Sequence, residues 1–466
     1  MIDITLAQVA DVVGGELLAD TTGDTVVHGV TIDSRAVAPG DLFVALAGTR
    51  TDGHRFVGPA LAAGAGGALV AAGRLDAVAE DAAVVVVDDP GDALLALGTW
   101  VRDTVDPQVV AVTGSNGKTT TKDLIAAATR DRRVVANQGS FNNELGVPLT
   151  CCRLAHDSEI LVSEIGMRGP GQIAELAGLL RPTVGVVTSV APVHLELLGS
   201  LEAIADAKGE LVAALDADGV AVLVADDPHV LAMADRTAAR IVTVGRSADA
   251  DWRATDVELD HAARARFTLD SPHGRHEVTL PVAGTHNVGN ALAALAAAVE
   301  TGVELPAAIA GLTQATISRW RLQLEMVGDL RVLNDAYNAN PTSVAAALRT
   351  LCALPTTGRR WAVLGTMAEI GDTSAAEHRA TGAVVSELGV DALVTVGPVA
   401  EAIRDGADAA DPSGRDRRWS VADVAEAAAL LVAHAAPGDV VLVKASRSAG
   451  FEQVVCALAE ANGRTA

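Results

Sequence analysis

Short β-branched runs alternate with alanine-rich stretches along most of this chain, and that alternation limits the folds open to it more than any other feature. The runs are "VVAVTG" (109–114), "EILVSEIG" (159–166), "VGVVTSV" (184–190), "GVAVLVAD" (219–226) and "IVTVG" (241–245). Apolar strands of this length separated by helical segments predict βαβ units, hence a parallel sheet covered by helices. After "ISRWRLQ" (317–323) the rhythm restarts with "RVLNDAY" (331–337), "RWAVLG" (360–365), "ALVTVG" (392–397) and "DVVLVKAS" (439–446). A second α/β domain is expected there. The first part differs: "VHGVTIDSRAVAPGDLFVALAG" (27–48) is broken by turn residues, and a small-residue helix is expected over 57–66. A small separate α/β domain, ended by "DDPGD" (88–92), accounts for it. The expected architecture is α/β in three domains, 1–88, 89–318 and 319–466. A chain of 466 residues is long enough for each to have a core.

The net charge of −24 argues against nucleic acid or an anionic membrane as partner, since both require a broad basic surface. No apolar run reaches membrane-span length and the start "MIDITLAQVADVV" lacks a basic segment before an apolar core, so a cytoplasmic protein is expected. The four cysteines form neither a disulfide framework nor a zinc spacing, and are read as small buried hydrophobes.

Only four lysines occur: Lys118, Lys122, Lys208 and Lys444. A chain that uses arginine almost everywhere keeps lysine where a compact charge or a deprotonable amine matters. Lys122 is assigned to chance. Lys118 lies in "VVAVTGSNGKTTT" (109–121), where a strand runs through a glycine-rich turn into a helix. Gly114 and Gly117 permit the turn, the backbone N–H groups and helix N-terminus face an anion, Lys118 adds a charge, and the Thr119 hydroxyl can reach magnesium. The predicted ligand is a nucleotide phosphate. The spacing is short for a common phosphate loop, with valine in place of the leading glycine.

Glu164 ends the next strand, at the sheet edge where α/β proteins gather ligands, though a turn carboxylate is the simpler reading. His194, after the following strand, is either a metal ligand or a capping residue. Lys208 follows fourteen residues later in a helix. Asn287 and Asn290 stand three apart at a helix opening, suited to reading a base edge, with capping by Asn287 as the alternative. "NDAYNANP" (334–341), holding the one tyrosine, Tyr337, is expected as a loop ending the first strand of the last domain.

In order, "TGSNGKTT", "NQGSFNNELGVPLT" (137–150), "SEIG", "HLELLGSLEAIADAKGEL" (194–211), "GTHNVGNALAA", "SRWRLQ" and "NDAYNANP" resemble the Mur ligase family of ATP-dependent amide-forming enzymes over essentially the whole chain. "FNNELGVPLT", "DAYNANP" and "DSRAVAPGDLFVALAGTRTDGHRFV" (33–57) narrow the resemblance to the branch that joins D-alanyl-D-alanine to a UDP-N-acetylmuramoyl-tripeptide in cytoplasmic peptidoglycan precursor synthesis. The resemblance implies a uridine-nucleotide-binding N-terminal domain, a central P-loop ATPase domain and a Rossmann-like C-terminal domain that closes over it. It implies ATP and magnesium as cofactors, small-molecule partners and a monomer.

By motif, it implies that Gly114, Ser115, Asn116, Gly117, Lys118, Thr119 and Thr120 hold phosphate, and that Asn287 and Asn290 contact adenine. Arg321 would reach the γ-phosphate and Asp335 would lie near the ribose. Thr119, Glu164, His194 and a carbamylated Lys208 would form the metal site. Lys118, Lys208, His194 and Arg321 would be catalytic. Ser34, Arg35, Asp52, His54, Asn142, Asn143, Tyr337 and Asn338 would face substrate, although the first four could equally cap turns. Two departures, Met167 and Ala445 where small residues or glycine are usual, bear on loop geometry.

The rivals are a folylpolyglutamate synthase, a Mur ligase for another amino acid, and a nucleotide switch. The N-terminal segment and "FNNELGVPLT" oppose the first two, and no asparagine-lysine-x-aspartate element supports the third. For Lys208 itself the bland reading is a surface ion pair with Asp206 or Glu210.

Overall fold

Four sheets form, three large and one of two short strands, and each alternating run becomes a strand of a large one in a computed structural model, which describes residues 1–18, 23–48, 51–77, 82–139, 141–193 and 195–461. The first sheet has the order Glu16–Leu17, Val84–Val87, Gly67–Ala71, Asp41–Val44, Gly29–Thr31, parallel except for its first strand. Its helix Leu6–Val13 opens on a capping box between Thr5 and Gln8 and ends at Gly14 in the left-handed region. The small-residue helix is shorter than expected, Val57–Ala62.

The central sheet is nine-stranded. From one edge it runs Val134–Ala136, Ile160–Glu164, Gln108–Thr113, Val184–Val187, Val220–Val224, Arg240–Gly245 and Trp252–Leu259 in parallel, then Arg264–Ser271 and Gly274–Ala283 antiparallel. The last three strands were not anticipated. They alternate polar and apolar residues in place of continuous β-branched runs, because one face of this antiparallel end is open to solvent. The strand Gln108–Thr113 lies between Ile160–Glu164 and Val184–Val187. The chain therefore departs to one side of it and returns on the other, which opens a crevice at the strands' carboxyl ends.

The last sheet has the order Gln323–Val327, Leu330–Asn334, Val440–Lys444, Arg360–Leu364, Ala392–Val396, Arg418–Val421. Its first strand is Gln323–Val327, not the one ending at "NDAYNANP". It forms a hairpin with Leu330–Asn334 through a two-residue turn in which Gly328 has φ +61°. Met167 and Ala445 are both buried at ordinary φ, so neither departure strains its loop. Of the cysteines, Cys151 and Cys152 are buried as expected. Cys352 is half-buried and Cys456 exposed, because the latter sits on the outer side of the helix Glu452–Ala461.

Candidate functional site

The turn after Gln108–Thr113 admits only glycine at two positions. Gly114 has φ +147°, and a methyl there would lie 2.0 Å from Thr188 Oγ1; Gly117 has φ +85°, and a methyl there would lie 2.3 Å from Asn290 Oδ1. The turn is fastened from the neighbouring strand. Ser115 N–H donates to Ser189 O at 2.8 Å, Ser115 Oγ exchanges hydrogen bonds with Ala191, and Thr188 Oγ1 donates to Asn116 O at 2.6 Å. The helix Lys118–Ala128 then begins with its first N–H groups pointing into the crevice, without acceptors of their own in the helix. Lys118 folds back so that Nζ donates to Gly114 O at 2.8 Å. Burial lowers its pKa, Glu164 opposes this, and Arg321 lowers it further.

Glu164 is buried at the end of its strand with both oxygens engaged. Oε2 accepts from Thr119 Oγ1 and Oε1 from Asn142 Nδ2, each at 2.7 Å. Its backbone N–H donates to Asn137 Oδ1 at 2.6 Å, and Asn137 O accepts from Lys122 Nζ at 2.8 Å. Lys122 is only 3 % exposed and pairs with Asp123 at 2.6 Å, so chance does not account for it. It braces the segment that holds Glu164.

Lys208, on the helix Leu201–Ala213, is 2 % exposed and lines the same crevice. The two carboxylates of the surface reading are occupied elsewhere. Asp206 pairs with Arg236, and Glu210 accepts Gly171 N–H at 2.6 Å and Ala174 N–H at 3.0 Å. Among the described residues no carboxylate pairs with Lys208. Burial, and then the charge of Lys118, push its pKa well below 10.5.

The last domain forms the opposite wall. Arg321 Nη2 donates to Thr119 Oγ1 at 2.7 Å, and its guanidinium lies 4.0 Å from the centre of the Tyr337 ring. Asn340 caps the helix Pro341–Ala353 and also donates from Nδ2 to Asn116 Oδ1 at 2.7 Å, a contact that no local motif announces. Asp335 receives Lys444 Nζ at 2.6 Å, and Asn338 O receives the same ammonium at 2.8 Å. The two walls enclose a cleft of about 1630 Å³.

Asn287 and Asn290 open the helix Asn287–Glu300 as expected, but Asn287 does not cap it. Its Nδ2 donates to Ala283 O and its Oδ1 accepts Asn290 Nδ2, both at 2.7 Å. Asn290 therefore faces the phosphate loop with Asn287 behind it. Asn143 lines the cleft and its Oδ1 accepts Gly146 N–H at 3.0 Å. Ser34, Arg35, Asp52 and His54 lie away from this cleft in the first domain. Arg35 pairs with Asp33 at the surface. Asp52 caps the turn Gly53–Phe56, and its pKa is lowered chiefly by the hydrogen bond with His54. The buried His54 ring accepts Ala71 N–H at Nε2 and faces Asp52 through Nδ1 at 2.7 Å. His194 lies outside the described residues.

Three family models match the chain: "Mur ligase family, catalytic domain" over residues 26–116, "Mur ligase middle domain" over 112–298 and "Mur ligase, glutamate ligase domain" over 320–447. The chain belongs to the Mur ligase family. Among related Mur ligases, the UDP-N-acetylmuramoyl-tripeptide–D-alanyl-D-alanine ligase of Mycobacterium tuberculosis is 43 % identical, with 98 % of each chain covered. A crystal structure of MurF from Acinetobacter baumannii superposes with a TM-score of 0.87 at 32 % identity, covering 98 % of this chain and 99 % of that one. MurF ligase from Thermotoga maritima in complex with ADP gives 0.78 at 27 % identity, with 94 % and 98 % covered.

The hard oxygens of Thr119 and Glu164, 2.7 Å apart, suit magnesium, which prefers few protein oxygens shared with phosphate. Among the described residues no group of three histidine, cysteine or acidic side chains forms a self-sufficient metal cage. This Mur ligase site offers a cation two protein oxygens beside the phosphate loop. Among the described residues no helix is long and apolar enough to cross a membrane.

Proposed function

We propose that this Mur ligase joins D-alanyl-D-alanine to the terminal carboxylate of a UDP-N-acetylmuramoyl-tripeptide, converting ATP to ADP and phosphate, as a monomer in the cytoplasm. The observation that carries the reading is convergence on one hydroxyl: Thr119 meets Glu164 of the central domain and Arg321 of the last domain, each at 2.7 Å. A phosphoryl group in transfer needs positive charge from both sides, which Arg321 supplies from the last domain and Lys118, with a cation on Thr119 and Glu164, would supply from the central one.

A tripeptide carboxylate oxygen attacks the γ-phosphorus, and the bond to the β-phosphate oxygen breaks as ADP leaves. The neutral amine of the dipeptide then attacks the acyl carbon, phosphate departs with its oxygen, and the nitrogen loses a proton. Lys118 and the helix amides hold the phosphates, and Arg321 stabilises the group in transfer. Magnesium would be held by Thr119, Glu164 and His194, and when bound it neutralises phosphate charge. Lys208 is carbamylated: its suppressed basicity favours the neutral amine that carbon dioxide requires. The carbamate would supply oxygens able to bind or orient the cation.

Asn290, steadied by Asn287, contacts adenine, and Asp335 lies near the ribose. Asn142, Asn143, Tyr337 and Asn338 face the peptide substrates. Ser34, Arg35, Asp52 and His54 belong to the uridine-nucleotide region. The boundaries at 88/89 and 318/319 keep each large sheet in its own domain. Phosphate release tested across uridine-nucleotide peptides and candidate amines should require ATP, magnesium, the tripeptide and D-alanyl-D-alanine together. Equal release with a folate and glutamate overturns the reading.

A further inference from the structure

Arg321 reaches Thr119 from backbone that side-chain-bearing residues avoid. Both neighbours lie in the left-handed region, Trp320 at φ +62° and Leu322 at φ +49°. Such conformations persist only where surrounding groups impose them. Here the loop 335–338 imposes them: Tyr337 N–H donates to Trp320 O and Asp335 Oδ1 accepts Leu322 N–H, both at 3.2 Å, while the Tyr337 ring supports the guanidinium.

That loop is fastened at both ends by one ammonium. Lys444 Nζ donates to Asp335 Oδ2 at 2.6 Å and to Asn338 O at 2.8 Å. The register that pairs Asn334 with Val443 brings Lys444 alongside Asp335. We infer that Lys444 is a positioning residue for Arg321, acting through Asp335 and the loop 335–338. A point charge with three rotatable donors can serve a carboxylate and a carbonyl at once, where the planar guanidinium fork would not fit the same two acceptors. This inference rests on the proposed role of Arg321 at the transferring phosphate.

Coupling separates it from a merely structural ion pair. The turnover number for phosphate release at saturating substrates is measured in the full chain, in Lys444→Met, in Arg321→Lys and in the double variant, over hours so that residual rates register. Lys444→Met should slow turnover by roughly 10- to 100-fold, as a small misplacement does. It should cost less than about threefold once Arg321 is already replaced. The same fold-loss in both backgrounds overturns the coupling alone. Unchanged turnover in Arg321→Lys by itself overturns the role of Arg321 and this inference with it. Should Lys444→Met fail to fold, Lys444→Met with Asp335→Asn removes both charges and keeps an acceptor for Leu322 N–H. Turnover slower in that folded protein than in Asp335→Asn alone supports positioning, and equal turnover in the two shows that Lys444 only neutralised Asp335.

Discussion

Lys208 and Lys444 face one cleft from opposite domains, at 2 % and 3 % exposure, yet their surroundings are opposite. Lys444 has a carboxylate at 2.6 Å and a carbonyl at 2.8 Å. Lys208 has no carboxylate partner among the described residues, and after burial the like charge of Lys118 lowers its pKa further. A fold that leaves an amine buried and unpaired favours its neutral form, which can react. A fold that gives the amine two acceptors uses it as a staple. Identical residues at equal burial thus acquire different chemistry from their partners alone.

The largest expected effect tests the reactive half of this contrast. Lys208→Ala and Lys208→Arg should each lower turnover by about 100-fold or more, the scale of losing a charged group aimed at the transition state. Formate or propionate should restore part of the activity of Lys208→Ala by filling the vacated space with a carboxylate. Near-normal turnover in Lys208→Arg removes the carbamate from the mechanism.

Stability should separate the two lysines by sign. Lys444→Met strands the carboxylate of Asp335 and should cost about 3–5 kcal/mol in denaturant unfolding. In buffer depleted of carbon dioxide and metal, Lys208→Met removes a buried, unpaired amine and should cost nothing or stabilise.

The pH dependence follows from the lowered pKa of Lys208. Between that depressed value and 10.5 the unfolded chain binds the extra proton, so wild-type stability rises with pH across the window. The advantage of Lys208→Met should therefore be greatest at the low end and vanish near 10.5. An advantage that is constant with pH contradicts the unpaired state.

What the sequence disclosed follows the same division. The glycine turn and the parallel rhythm are legible because each depends on neighbours in the chain: Gly114 and Gly117 hold positive-φ backbone that the turn itself requires. Lys122 was not legible, since its partner Asn137 O lies fifteen residues away and only the folded segment brings them together. The contact of Asn340 with Asn116 spans 224 residues and two domains. The strand Gln323–Val327 was hidden because it lies at a sheet edge with only Val327 buried, so its residues form no continuous apolar run. The pairing of Lys444 with Asp335 depends on strand order, which a linear reading does not contain.

The smallest expected effect concerns the two carboxylates beside Lys208 in sequence. On the helix Leu201–Ala213, positions two apart point to different sides, so Asp206 and Glu210 should not govern the amine at 208. Glu210 instead accepts two N–H groups at the start of the helix Gln172–Leu180. Glu210→Gln retains an acceptor but loses the charge that complements that helix end, which should cost about 0.5–1 kcal/mol. Asp206→Asn removes an exposed ion pair with Arg236 and should cost less than about 0.5 kcal/mol. In both variants the carbamate signal from carbon-13-labelled bicarbonate should match that of the wild type at equal pH. A surface ion pair between Lys208 and either residue would have held the amine protonated, so releasing it would increase that signal. An increase in either variant would therefore mean that Lys208 was paired after all and that its contrast with Lys444 is one of degree.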